Sequence, residues 1–166
     1  MSFPHEEWSD VPLAFFITIR TYGTWLHGDP RGSVDRFHNR YGTPKLPPNR
    51  RRQQYEASLL KRKPVCLTLK QREATAGGIR EICKKRNWSL WVVNVRTNHA
   101  HAVVTANCTS EKVRAALKAN ATKVMRERGC WTDPQSPWAD KGSQIKLWTR
   151  KQLIAAIVYV LYDQGE

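Results

Sequence analysis

The chain has 166 residues and carries 28 Lys and Arg against 14 Asp and Glu, which gives a net charge of +14. Hydrophobic residues make up 40% of it, including seven Trp, and this excludes a disordered basic tail, because such tails lack the apolar side chains of a core. No apolar run approaches the ~18 residues needed to cross a bilayer, and no signal-peptide pattern opens the chain. We therefore expect one domain over residues 1–166, a cytoplasmic location and no membrane partner.

The positive charge is concentrated in one segment. Residues 31–72 hold +10 of the net charge, and they include the run Arg50-Arg51-Arg52. Repeated prolines over about residues 22–63 predict a loop-rich insertion rather than a packed element. A positive surface of this size attracts a polyanion, most commonly the phosphate backbone of a nucleic acid. A solvated basic loop and an anionic membrane surface are the alternatives.

Hydrophobic periodicity and capping residues predict the elements in chain order. They are a strand over 14–19, a short helix over 53–61 within the insertion, a helix from the cap Thr68 to about 86, strands over 88–96 and 99–106, a helix over 110–128 capped by Ser110, a fourth strand over 145–148 and a final helix over 150–163. Residues 130–145 lack periodicity and predict an irregular segment. This split βαβ order predicts an α+β fold of ferredoxin-like type, in which two helices cover one face of an antiparallel sheet.

Two histidines, His99 and His101, lie within the third predicted strand. Side chains alternate along a strand, so both imidazoles point to the same face about 6–7 Å apart. The alanines at 100 and 102 point the other way, toward the helices. Paired imidazoles on one face are natural metal ligands. A surface pair, or two core histidines with hydrogen-bond partners, would give the same pattern.

The final helix places polar groups on one face. Ala155, Tyr159 and Asp163 recur at four-residue steps, so the phenol and the carboxylate would project together. The helix also predicts a separate apolar stripe, formed by Leu153, Ile157 and Leu161. Without other evidence, Tyr159 could be a residue at the edge of the core and Asp163 a solvated group at the helix end.

Four motifs occur in a fixed order: Asn98-His99-Ala100-His101-Ala102-Val103-Val104, Leu117-Lys118-Ala119-Asn120-Ala121-Thr122, Leu147-Trp148 and Tyr159-Val160-x-x-Asp163. In this order the chain resembles the HUH single-tyrosine transposases, and it is most similar to the REP-associated tyrosine transposases and their insertion-sequence relatives. The resemblance runs from about residue 88 to 166, with 15–21 as the first strand. It implies one catalytic domain with a C-terminal tyrosine-bearing helix. The insertion at about 22–63 has no counterpart in the family pattern.

The resemblance assigns roles residue by residue. His99 and His101 become ligands of a divalent metal, Mg²⁺ or Mn²⁺, and Asp163 becomes the third ligand, with Gln164 as the alternative. Tyr159 becomes the nucleophile, and Tyr162 is its competitor. Asp163 stands where the family more often has Asn or Gln, and a carboxylate suits these hard cations.

The activity implied by the resemblance is metal-dependent cleavage and strand transfer of single-stranded DNA beside a hairpin, that is, DNA transposition. A covalent 5′-phosphotyrosine keeps the energy of the broken bond, so no nucleotide-binding loop is needed. A DNA- or RNA-binding module that has lost catalysis, and a replication-initiator or relaxase-like nickase, are the alternatives. The resemblance also allows a homodimer that shares its active sites between chains.

Further DNA contacts are expected from two regions. On the helix after the His pair, Lys118, Asn120 and Lys123 match a basic stretch of the family, although a solvated helix face would look the same. In the insertion, Arg50, Arg51 and Arg52 would contact phosphates.

Overall fold

The computed structural model describes residues 10–33 and 42–162. The elements in this part of the chain are β1 (Ala14–Thr21), α1 (Arg50–Ser58), α2 (Leu69–Lys85), β2 (Ser89–Val95), β3 (His99–Thr105), α3 (Ser110–Glu127), β4 (Trp138–Leu147) and α4 (Arg150–Tyr162). The four strands form one sheet in the order β2-β3-β1-β4, and every neighbouring pair is antiparallel. This confirms the predicted α+β, ferredoxin-like arrangement.

Helices α2 and α3 pack together on one face of the sheet. The apolar side chains of this face include Ile17 and Ile19 from β1 and Ala100 and Ala102 from β3. Gly78 lies where the two helices meet, and a Cβ there would come within 2.8 Å of the Asn120 carbonyl oxygen. The glycine that weakens helix propensity at this position therefore allows the close approach of α3.

The helix boundaries follow from their caps. Thr68 closes a capping box with Gln71, as the predicted start of α2 requires. The cap of α3 is Thr109 instead of the predicted Ser110, because the Thr109 hydroxyl accepts the hydrogen bond from the backbone NH of Lys112. Gly129 follows α3 in the left-handed region at φ +69°, where it ends the helix.

Strand β4 begins seven residues earlier than the sequence predicts, at Trp138 rather than 145. Its first half is polar and lacks a strand pattern, but it pairs with β1 through the register Thr18↔Ser143 and Ile19↔Gly142. A Cβ at Gly142 would lie 2.4 Å from the Thr18 carbonyl oxygen, so the glycine permits this pairing. The prediction of an irregular segment is confirmed for residues 130–137 and wrong for 138–145, because backbone pairing with β1 overrides local propensity there.

Helix α4 covers part of the opposite face. Its buried residues are Leu153, Ala156 and Val160, and they pack against Val103 and Leu147 of the sheet. The predicted stripe is correct at Leu153 but wrong at Leu161, whose side chain is exposed. The helix is therefore rotated so that small Ala156 is buried against the sheet, while Ile157 packs beside it and is only partly buried.

The insertion is joined to the body by backbone hydrogen bonds. The NH of Tyr22 donates to the Pro137 carbonyl oxygen at 2.8 Å, and the NH of Val65, just after the insertion, donates to the Tyr22 carbonyl oxygen at 2.8 Å. Helix α1 begins three residues before the predicted short helix and buries none of its side chains. In the described ranges, no helix has the length and apolarity required to cross a bilayer.

Candidate active site

The histidine pair lies on the face of the sheet that carries α4. Strand alternation turns Ala100 and Ala102 into the α2–α3 core, so His99 and His101 point the other way. Their ring centroids are 4.7 Å apart. They are only 7% and 4% exposed, so both imidazoles are removed from bulk water.

Each imidazole is oriented by a hydrogen bond at Nδ1. The Nδ1 of His99 lies 2.6 Å from the Asn98 side-chain oxygen, and the Nδ1 of His101 lies 2.9 Å from the Thr18 hydroxyl. An amide oxygen only accepts, so His99 carries a proton on Nδ1, and in the neutral imidazole the lone pair is then on Nε2. The Thr18 hydroxyl can accept from His101 in the same way.

The Nε2 atom of His101 is buried and has no hydrogen-bond partner among the described residues. Leaving such an atom unsatisfied costs ~1–3 kcal/mol. Burial, followed by the proximity of His99 and Lys45, lowers the pKa of His101 to about 3, so the imidazole is neutral at physiological pH. A neutral imidazole is the form that binds a metal. The pair therefore fits two ligands of a divalent ion.

Tyr159 lies beside this pair. Its ring centroid is 5.8 Å from that of His101 and 5.8 Å from that of Phe16. Helix α4 is fixed here by Asn94, which is directly opposite His101 on β2 and donates from Nδ2 to the Val160 carbonyl oxygen at 3.1 Å. This role of Asn94 could not be predicted from the sequence, because it depends on the strand register.

The competing tyrosine, Tyr162, is 77% exposed. Of the two, Tyr159 is thus the one whose ring contacts His101. Asp163 and Gln164, the predicted third ligand and its alternative, lie outside the described residues. Within the described ranges, no group of three or more His, Cys, Asp or Glu side chains could hold a metal.

Two lysines of α3, Lys118 and Lys123, are engaged within the protein. The Nζ of Lys118 donates to the Ala139 carbonyl oxygen at 2.6 Å, and burial, followed by the charge of Arg114, lowers the pKa of Lys118 to about 8. Lys123 pairs with Glu81 and Glu127 at 3.3 Å. These side chains line a groove between α3 and β4, and α3 packs on the face of the sheet opposite to the histidines.

Asn120, another residue predicted to contact DNA, is 9% exposed. Its side-chain Nδ2 donates to the Gly78 carbonyl oxygen at 2.7 Å, so its amide joins α3 to α2. This burial contradicts a role as an exposed DNA contact. The side chains of Arg50, Arg51 and Arg52 are exposed on the first turn of α1.

The insertion contributes a residue to the site that sequence reasoning missed. The ring of Trp25 meets that of His99 edge to face, with centroids 4.9 Å apart. Trp25 has a φ of +51°, its Nε1 donates to the Gly32 carbonyl oxygen at 2.7 Å, and its own carbonyl oxygen accepts from Arg20 at 3.1 Å. Nothing in the local sequence predicts this contact, since it joins the insertion to β3.

No protein-family model matches the sequence, and no curated protein matches it. In three dimensions the chain is similar to a REP-associated tyrosine transposase bound to a REP hairpin. The TM-score is 0.53 at 12% identity, over 98% of this chain and 72% of the other. This chain has the fold of that transposase. A candidate transposase from Deinococcus radiodurans R1 is also similar, with a TM-score of 0.47 at 13% identity over 99% of this chain and 98% of the other.

The resemblance that the motifs indicate is therefore confirmed for the fold. The superposition covers nearly the whole chain, so the insertion is included in the part compared.

Proposed function

We propose that this protein is a tyrosine transposase that cleaves single-stranded DNA beside a hairpin and joins the cut end to another strand. The observation that carries the proposal is the position of Tyr159, 5.8 Å between ring centroids from a histidine whose Nε2 is buried without a hydrogen-bond partner among the described residues. The shared fold with a transposase bound to a REP hairpin supports DNA as the substrate.

His99 and His101 would hold a Mg²⁺ or Mn²⁺ ion through Nε2, with Asp163 or Gln164 completing the ligand set. When bound, such an ion acts as a Lewis acid toward the oxygens of the scissile phosphate. Thr18 and Asn98 would keep both Nδ1 atoms protonated, and each Nε2 lone pair would then point away from its supporting residue.

Tyr159 would supply the nucleophile. A free tyrosine phenol has a pKa near ~10, so attack by such a group requires loss of the proton as the oxygen approaches phosphorus. A bond forms between Oη and phosphorus while the bond from phosphorus to the 3′ oxygen breaks, and that oxygen leaves with the electron pair and gains a proton. The products are a 5′-phosphotyrosine and a free 3′-hydroxyl. Attack by another 3′-hydroxyl reverses the step and joins a new strand.

The test is a denaturing gel of a 3′-labelled single-stranded oligonucleotide that contains a hairpin, incubated with protein and Mn²⁺. The 3′ label is used because the 5′ phosphate of the downstream fragment would stay on the protein. We expect a labelled adduct with wild type and with the control Tyr162→Phe, and none with Tyr159→Phe, while hairpin binding stays within about twofold.

An adduct that persists in Tyr159→Phe would show that another residue is the nucleophile. Hairpin binding by wild type without any adduct under these conditions would favour the binding module that lacks catalysis. Retained adduct formation in the presence of a chelator would contradict the metal assignment.

A further inference from the structure

A second feature lies beside the histidine pair and is formed by the insertion. We call it the Trp25 corner, and its residues are Trp25, Gly32, Ser33, Lys45 and Leu46. Its aromatic ring contacts His99, as described above. The Nζ of Lys45 lies 5.7 Å from the centroid of the same ring. A cation of the insertion is therefore held close to the proposed catalytic residues.

The backbone fixes the position of Lys45. Its neighbour Leu46 forms an isolated antiparallel bridge with Ser33, in which the NH of Leu46 donates to the Ser33 carbonyl oxygen at 2.7 Å. Gly32 leaves room for the lysine stem, since a Cβ there would lie 3.0 Å from the Lys45 Cβ. The φ of +76° at Gly32 also disfavours any other residue.

Lys45 has no carboxylate partner within the described residues, whereas the other cation on the Trp25 ring has one. Arg31 stacks 4.6 Å from the ring centroid, but its Nη2 pairs with Asp29 at 2.6 Å. The positive charge of Lys45 is also one of the causes that lower the pKa of His101. Lys118 and Lys123 of α3, in contrast, are engaged by carbonyl oxygens and carboxylates on the other side of the sheet.

We propose that Lys45 binds the phosphate next to the one that Tyr159 attacks, which makes the Trp25 corner one wall of the active site. This inference depends on the proposed function, because it assumes that a DNA strand crosses the histidine pair. A strand in that position brings a negative charge at every phosphate past a cation that no carboxylate of the described residues neutralises. Lysine binds phosphate as a point charge, so the contact would not depend on base sequence.

The test measures binding without cleavage, so that it does not depend on catalysis. A Tyr159→Phe protein is titrated in EDTA with hairpin-containing single strands, each with one phosphate replaced by an uncharged methylphosphonate. The same series is repeated with Lys45→Ala added, with Lys45→Arg added and, as a matched control, with Lys63→Ala, an exposed lysine of the same insertion.

In the Tyr159→Phe parent protein, we expect a methylphosphonate at one position, adjoining the cleavage site, to weaken DNA binding about three- to tenfold relative to the unmodified strand. The same loss is expected when Lys63→Ala or Lys45→Arg is added. At that position the Lys45→Ala protein should show no further loss, because the contact is already absent. Methylphosphonate profiles that are identical in the parent and in Lys45→Ala would overturn the inference and leave the proposed function intact. No hairpin binding by any of the proteins would overturn both.

Discussion

The two faces of the sheet differ in composition although the same strands form them. On the face under α2 and α3, strand β3 contributes Ala100 and Ala102, and the surroundings are apolar. On the other face the same strand contributes His99 and His101, which lie among aromatic rings and hydrogen-bonding groups. One strand with a period of two therefore supports the fold on one side and carries the proposed chemistry on the other.

The largest expected effect comes from removing both histidines from the polar face of the sheet. A protein with both His99→Ala and His101→Ala should bind Mn²⁺ at least about a hundredfold more weakly, because two ligands are lost. Titration of Mn²⁺ monitored by electron paramagnetic resonance measures this. The control is His27→Ala, because the His27 side chain is hydrogen-bonded to Ser33 and does not belong to the histidine pair. This variant should bind Mn²⁺ as wild type does. Equal Mn²⁺ affinity in the double variant would place the metal elsewhere.

Substitutions on the apolar face should instead change the free energy of unfolding. Gly78→Ala should lower the free energy of unfolding by about 1–3 kcal/mol, since its Cβ would meet the backbone of Asn120 and Ala121 at 2.8–2.9 Å. Its neighbour is a matched control, because a Cβ at Gly77 would meet only the movable end of Arg128.

Gly77→Ala should accordingly be neutral or stabilise by up to about 1 kcal/mol, through the better helix propensity of alanine. Denaturant unfolding of the two variants gives the comparison. Equal stabilities would mean that the α2–α3 contact is less tight at Gly78 than the structure indicates.

Thr18 tests the orientation of one imidazole. Thr18→Val keeps the shape but removes the group that bonds Nδ1 of His101, so Mn²⁺ affinity should fall about tenfold. Thr18→Ser should restore it. Nitrogen-15 spectra of the metal-free protein would show the proton of His101 on Nδ1 in wild type and in the serine variant. The same tautomer and affinity in Thr18→Val would remove Thr18 from the proposed mechanism.

The neutral His101 of the polar face also predicts a pH dependence of stability. In the unfolded chain His101 titrates near ~6.5, whereas in the folded protein its pKa is lowered to about 3. Between these values the unfolded state binds the proton and the folded state does not. Stability should therefore fall as the pH drops through this window, by at most about 1.4 kcal/mol per pH unit. Denaturant unfolding in EDTA should show a flatter pH profile for His101→Gln, and unchanged profiles would contradict the burial of a neutral imidazole.

Local patterns predicted much of the fold. The cap at Thr68, the apolar run of β1 and strand β3 follow from residue type alone, and the ferredoxin-like order follows from the elements so predicted. Strand β4 was predicted too short, because residues Trp138–Gly142 have no strand pattern and pair only because β1 offers an edge. Whether a segment pairs with a sheet edge depends on the partner strand, and the residues of the segment itself do not reveal that partner.

The site was predicted in part. The spacing of His99 and His101 predicts that they share one face of the strand. Helical spacing predicts that Tyr159 lies on one face of the final helix with Ala155 and Asp163. The placement of Asn120 at a helix contact and of Trp25 against a histidine could not be predicted, because each depends on a partner distant in sequence. The roles of Lys118 and Lys123 as DNA contacts remain predictions, and their intramolecular partners now have to be considered.

The sequence by itself determined the periodicities, the charge of +14 and the face that the two histidines share, since these depend on neighbours along the chain. The tertiary structure decided which surfaces meet. It rotates α4 so that Tyr159 contacts His101 while Tyr162 does not, and it brings Trp25 and Lys45 of the insertion to the same site. The physical reason is that rotation and docking are set by side-chain packing between elements, and packing partners are chosen only when the chain has folded.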